Sequence, residues 1–276
     1  MKNLFEHSHR LMQTLSVAAV LLLAGCENNT DVEPAAPQSM HGSAVKGATK
    51  VYYGDEAALG NGTAQVWVQT VQGKPTALGI ELTEEALTGL LDMDMFEFAL
   101  PMPGQAHATG YKTVMIGWNP MGHEPEGVYT LPHFDFHFYL QTMGQIMQVQ
   151  GGEDPEARLL AGTVLPENYT FGPVPIAVPH MGVHWSDRNS PEFSPAGFSR
   201  TFIYGSYHDQ VTFLEPMITL EYLLSLEPGE SVTMEVPSLL VYEDPGYYPL
   251  SYTITHTEYG TYIIALTDLV WHNRNK

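Results

Sequence analysis

The sequence predicts a mainly β protein, an antiparallel β-sandwich or barrel with a few short helices. Three observations carry this reading. Short runs of alternating apolar and polar residues, rich in Val, Ile, Thr, Tyr and Phe, recur along most of the chain, and period two is the mark of a strand with one buried face. Turn formers separate the runs: 25 glycines and 20 prolines imply frequent reversals. The runs do not alternate with long helical periods, which argues against a parallel sheet covered by helices.

Taken in order, the chain opens on a leader. Lys2 and Arg10 precede an apolar stretch that ends Leu21-Leu22-Leu23-Ala24-Gly25-Cys26. A basic start, a short apolar run and small residues before a break make an export signal, too short to be a membrane span. L-A-G-C resembles the lipobox of bacterial lipoproteins. That resemblance implies cleavage before Cys26, lipid on its sulfur and membrane attachment through that lipid. By the same resemblance, Glu27 at the next position, where an aspartate would signal inner-membrane retention, implies the outer membrane. Residues 1–25 are therefore read as a lipoprotein signal peptide, 26–48 as a flexible polar tether, and 49–276 as a single β-rich domain. Cys26 is the only cysteine, so the exported domain has no disulfide and depends on its core.

The β pattern starts near Val51. Gln65 to Val71 and Thr76 to Leu82 read as a hairpin turned at Gly73-Lys74. Thr83 then caps a short helix with Glu84 and Glu85 in its first turn. Met95 to Leu100 and Tyr111 to Trp118 are strands, and Pro120, Gly122, Pro125 and Gly127 make 119–127 a rigid loop. Residues 133–140 form the next strand. A short helix over 141–149 would bury Met143, Ile146 and Met147, and Asp154-Pro155 starts another helical turn. Residues 165–199, rich in Pro, Gly and Ser, read as a long loop of the kind that often carries function. Phe202 to Tyr207 and Val211 to Pro216 form a hairpin, and strands follow at about 231–236, 238–242, 251–256 and 261–270.

Chemistry concentrates in H-F-D-F-H-F-Y, residues 133–139. On a strand, His133, Asp135 and His137 share one face and Phe134, Phe136 and Phe138 the other. Imidazole and carboxylate suit zinc, iron, copper or manganese, and a site without cysteine excludes a thiolate zinc centre. Neighbours two apart on a strand lie ~6.5–7 Å apart and residues four apart ~13 Å, so His133 and His137 do not share one ion on a straight strand. Asp135 with one of them is the expected pair, completed from a second loop by His184, then by His123, with Glu215 assisting. His180 and His208 read as surface loop residues. The competing reading is a buried hydrogen-bond network in which each polar group is paired. No G-x-S-x-G elbow, phosphate loop, H-E-x-x-H helix or C-x-x-C is present.

Four strings carry a resemblance: G-W-N-P-x-G-H-x-P-x-G-V-Y-x-x-P-H-F-D-F-H-F-Y (117–139), L-G-N-G-T-A-x-x-W-V (59–68), P-x-M-G-x-H-W (179–185) and Y-G-S-Y with F-x-E-P-M-I-T (204–219), x marking open positions. Over roughly 50–225 the chain resembles an uncharacterised bacterial exported-protein family, a domain of unknown function typified by a sigma-E-controlled Thermus protein. The resemblance implies one family domain, a homo-oligomer and no assigned activity. His123, His133, Asp135, His137, His184 and Glu215 fall on its motif positions, while His180 and His208 fall where the motifs are open.

The formal charge is −20, from 11 basic and 31 acidic residues. A field of that sign repels nucleic acid. The sequence thus points to a lipid-anchored envelope protein binding a divalent transition metal. Its alternative is a non-enzymatic structural or assembly protein whose histidines form a network. Neither a reaction nor a small-molecule ligand follows from the residues.

Overall fold

The computed structural model describes residues 48–275. The leader, Cys26 and the tether up to residue 47 lie outside the described residues. Strands β1 (Thr49–Leu59), β2 (Gly62–Val71), β3 (Lys74–Thr83), β4 (Phe96–Pro101), β5 (Thr113–Asn119) and β6 (His133–Tyr139) come first. Next are β7 (Gly152–Glu153), β8 (Tyr169–Thr170), β9 (Ile176–Ala177), β10 (Val183–Asp187), β11 (Arg200–Tyr207) and β12 (Gln210–Thr219). The last are β13 (Ser231–Glu235), β14 (Gly246–Tyr248), β15 (Ser251–His256), β16 (Thr261–Thr267) and β17 (Val270–His272).

Two antiparallel sheets are built from them, ordered β1-β2-β3-β16-β15-β13 and β4-β5-β6-β12-β11-β10-β8. Neither closes on itself, so of the two expected architectures the sandwich is the one formed. One apolar core joins the sheets. Val66, Val68, Leu78, Ile80, Ile254 and Ile264 from the first meet Val114, Ile116, Phe134, Phe136, Phe138, Leu214 and Trp185 from the second. Such side chains fit a pleated, half-buried surface, which is why these segments are strands. The three phenylalanines of β6 are fully buried and face Trp118, Ile116 and Val114 of β5 in register. Their alternation turns His133, Asp135 and His137 onto the outer face of the second sheet.

Several local expectations need correction. Thr83 precedes a 3-10 turn at Glu84–Leu87 but makes no side-chain cap. Its hydroxyl instead accepts the Thr63 amide. The helix Met143–Ile146 buries Ile146 alone; Met143 and Met147 are exposed, because one turn has a single inward position. The long loop contains a five-residue strand, β10, paired with β11. Residues 238–242 are not a strand. Their backbone is held by loops instead: the Leu240 amide donates to the Val164 carbonyl, and the Tyr242 carbonyl accepts the Asn275 amide. Ile218 to Leu226, which reads as strand or helix, ends β12 and turns into a helix at Leu220–Ser225, where the Thr219 hydroxyl accepts the Tyr222 amide.

A histidine–carboxylate face on the second sheet

Pairing across β6 decides what meets on its outer face. Asn119 of β5 lies opposite His133, Gly117 opposite Asp135 and Met115 opposite His137. On the other side, Thr219 lies opposite His133 and Met217 opposite Asp135. The same register, with Leu214 opposite Phe138, brings Glu215 beside His137. One strand further, Gly205 of β11 lies opposite Phe213, and His184 of β10 opposite Gly205. A side chain at Gly205 would strike the Phe213 ring, since its Cβ would lie 2.0 Å from that ring. Glycine there lets Phe213 fold across the strand, where its ring meets both His137 and His184 edge-on.

Two small apolar clusters flank the polar band. Met115, Tyr139, Ile146 and Phe213 form one, and Tyr129, Phe198, Ile203 and Met217 the other. Between them the ligand-type atoms gather into two groups. His123, His133 and Asp135 bring one atom each to within 4.8 Å of one another, and His137, His184 and Glu215 do the same. Either set can hold a metal ion. His133 and His137, at the ends of the row, fall into different groups. His184 joins His137 and Glu215 rather than Asp135, and Asp135 is served by His123 from the 119–131 loop.

The first group is oriented by backbone. The His123 loop is folded back by its own amide, which donates to the Tyr129 carbonyl at 2.9 Å. The Nδ1 atoms of His123 and His133 each lie 2.7 Å from a carbonyl, of Glu124 and Leu131 respectively. A carbonyl only accepts, so both Nδ1 atoms carry the proton. Nε2 is therefore the atom each ring turns to Asp135, at 3.5 Å for His123 and 3.2 Å for His133. It offers a lone pair when the ring is neutral and an N–H when it is protonated. The Asn119 amide nitrogen also lies 3.5 Å from His133 Nε2. The His133 approach lacks hydrogen-bond geometry, and Asp135 Oδ1 is otherwise unpartnered. Asn119 Nδ2 donates to Asp135 Oδ2 at 2.7 Å.

The second group is more deeply enclosed. His137 and Glu215 are each 1% exposed, and His184 is 26% exposed. Imidazole–carboxylate distances are 3.5 Å from His137 and 3.7 Å from His184. Both ring nitrogens of His137 and the Oε2 atom of Glu215 lack a hydrogen-bond partner. Buried polar atoms are seldom left so, and here three lie in one cluster.

Burial sets the electrostatics. It pushes His137 down to about 3 and His184 down to about 4, so both rings are neutral. Burial also pushes Glu215 well above the carboxylate range, helped by the charges of Asp135 and Glu97. For Asp135 burial acts upward, but the facing His123 and His133 rings, able to donate Nε2–H to it when protonated, outweigh it and hold the carboxyl below its ordinary value. Burial acts downward on His123, but the Asp135 carboxylate, by its charge and by accepting the Nε2–H of the protonated ring, outweighs it and raises that ring.

Sequence reasoning missed Glu97. It lies on β4 opposite Gly117, the residue between it and Asp135. A Cβ on Gly117 would sit 3.4 Å from Glu97 Oε1 and 3.5 Å from Asp135 Cβ, so the carboxylate lies over the bare glycine. Burial, then the Asp135 charge, push it up to about 7. The signal was present: Phe96-Glu97-Phe98 repeats the alternation of Phe134-Asp135-Phe136. Glu124 does not enter the site, since its carboxylate accepts the Glu126 amide within the loop. His180 and His208 are exposed, as expected, and His208 faces Asp154 and Glu156. Arg200 stacks over Tyr222.

Fold and site together define an antiparallel β-sandwich with a histidine–carboxylate band on the outer face of one sheet. Residues 70–118 match the TTHB210-like family, described as hypothetical protein TTHB210, which bears out the resemblance to an uncharacterised Thermus protein family over that segment. No curated protein and no solved structure matches the chain. The matched stretch carries Glu97 and Gly117 and stops before the six residues of the two groups.

Proposed function

We propose that the chain is a lipid-anchored envelope protein that binds a divalent transition metal, zinc, iron, copper or manganese, on this sheet face. One observation carries the metal reading. Two imidazoles whose Nδ1 atoms carry protons turn their Nε2 atoms onto a carboxylate. Three such lone-pair atoms facing one another need a proton or a metal ion between them, and two imidazoles with one carboxylate are a common donor set for transition metals. When bound, the ion would polarise a water or a small oxygen ligand. Anchoring through Cys26 and placement at the outer membrane rest on the leader sequence, and the homo-oligomer on the family resemblance.

The test is metal content. The full chain, purified without a histidine tag from metal-replete cells, should carry at least roughly one equivalent of a transition metal and lose it to a chelator. Less than about a tenth of an equivalent would overturn the reading. The alternative of a structural network is favoured by the Asn119 amide, which donates to Asp135 at 2.7 Å and lies 3.5 Å from His133 Nε2. Under that alternative, added metal leaves thermal stability unchanged.

A further inference from the structure

We infer that the face holds two ions in unequal sites; this rests on the metal reading above. The two donor sets share no residue. Around one octahedral ion with bonds of ~2.1 Å, opposite donors are ~4.2 Å apart, so six donors on one ion would all lie within such a span. Here that closeness holds within each set of three and not across both, since they gather as two groups of atoms within 4.8 Å. Asp135 is two residues from both His133 and His137 on β6, ~6.5–7 Å between Cα atoms, so the partners divide the row: Asp135 faces His133 at 3.2 Å, whereas His137 faces Glu215 of β12 at 3.5 Å.

The sites are unequal because their supports differ. In the first, the Glu124 and Leu131 carbonyls fix the two imidazoles and the Asn119 amide fixes Asp135, all at 2.7 Å. In the second, His184 is held by the Gly182 backbone, but His137 and Glu215 Oε2 have no outer partner. Groups that orient a ligand are each worth about tenfold or more in metal affinity. The first site therefore fills first. The second has three protein donors, leaving positions for water or a small ligand that reaches it past the 26% exposed His184.

Zinc titration of the chelator-stripped full chain by calorimetry tests this. Two steps are expected, summing to two equivalents per chain, with dissociation constants at least about tenfold apart. His123→Ala should remove the tighter step and His184→Ala the weaker one. Both side chains are partly exposed, 36% and 26%, so both variants should fold, which a thermal scan checks. A single step of one equivalent, or loss of the same step in both variants, would overturn the two-site inference and leave the metal reading standing. No binding at all would overturn the metal reading itself.

Discussion

Phe136→Ala should lower the unfolding free energy by about 3–5 kcal/mol. Phe136 is fully buried at the middle of β6. It lies opposite Ile116 and stacks beside Phe134 at 5.7 Å between ring centroids. Deleting its ring leaves a cavity between two sheets that are each held by long hydrogen-bonded ladders, so the surroundings collapse little and the cost stays near the full value. Denaturant unfolding of the variant against the parent measures it. The metal bound per folded chain should be unchanged, because the side chain lies on the face opposite the donors. A loss below about 1.5 kcal/mol would mean that the β6 phenylalanines are not at the centre of a sandwich core.

The second large effect is a dependence of stability on pH that metal reverses. With metal removed, the site should make the protein most stable at about pH 5–6. The sign follows from the groups on the face. Glu97, pushed up to about 7, and Glu215, raised well above its ordinary range, keep protons in the folded chain that the unfolded chain releases near ~4.3. Their contribution is complete below that value and is lost as pH rises through the folded values. His137 and His184 behave oppositely. They remain neutral in the fold down to about 3 and about 4, whereas the unfolded chain protonates them near ~6.5. Their contribution is complete above that value and is lost as pH falls. Asp135, held low, adds to the acid limb.

A bound divalent ion neutralises the carboxylates that make the alkaline limb costly. At a hundredfold excess over its dissociation constant a ligand stabilises by ~2.7 kcal/mol, and ligation strengthens as protons leave the donors. Zinc should therefore raise the melting temperature more at pH 8 than at pH 6. A chelated protein whose melting temperature climbs steadily from pH 6 to pH 8, or an equal zinc shift at both, would contradict this assignment of charge states.

Much of the fold is legible because period two is a local property. The row of β6 declares its two faces from seven residues, and the Gly73 and His208-Asp209 turns declare their hairpins. β10 is not legible, because five residues set among Pro, Gly and Ser hold too short an alternation to stand out. Its strand character comes from pairing with β11. The segment 238–242 shows the converse: it is apolar enough for a strand but has no ladder to join.

The site divides in the same way. Its residue types are visible in sequence, and strand spacing alone separates His133 from His137. Which donors gather depends on register between strands distant in the chain. Nothing local places Glu215 beside His137, or His184 beside both across Gly205. Glu97 is read only once Gly117 is known to lie between it and Asp135.

The central claim, that this face is a metal centre, is tested most directly by anomalous diffraction from crystals of the chelated chain soaked in zinc. The account predicts a peak ~2.0–2.1 Å from the Nε2 atoms of His123 and His133 and ~2.0–2.2 Å from a carboxylate oxygen of Asp135. Zinc found only at exposed histidines such as His180 or His208, with no peak between those three side chains, would contradict it.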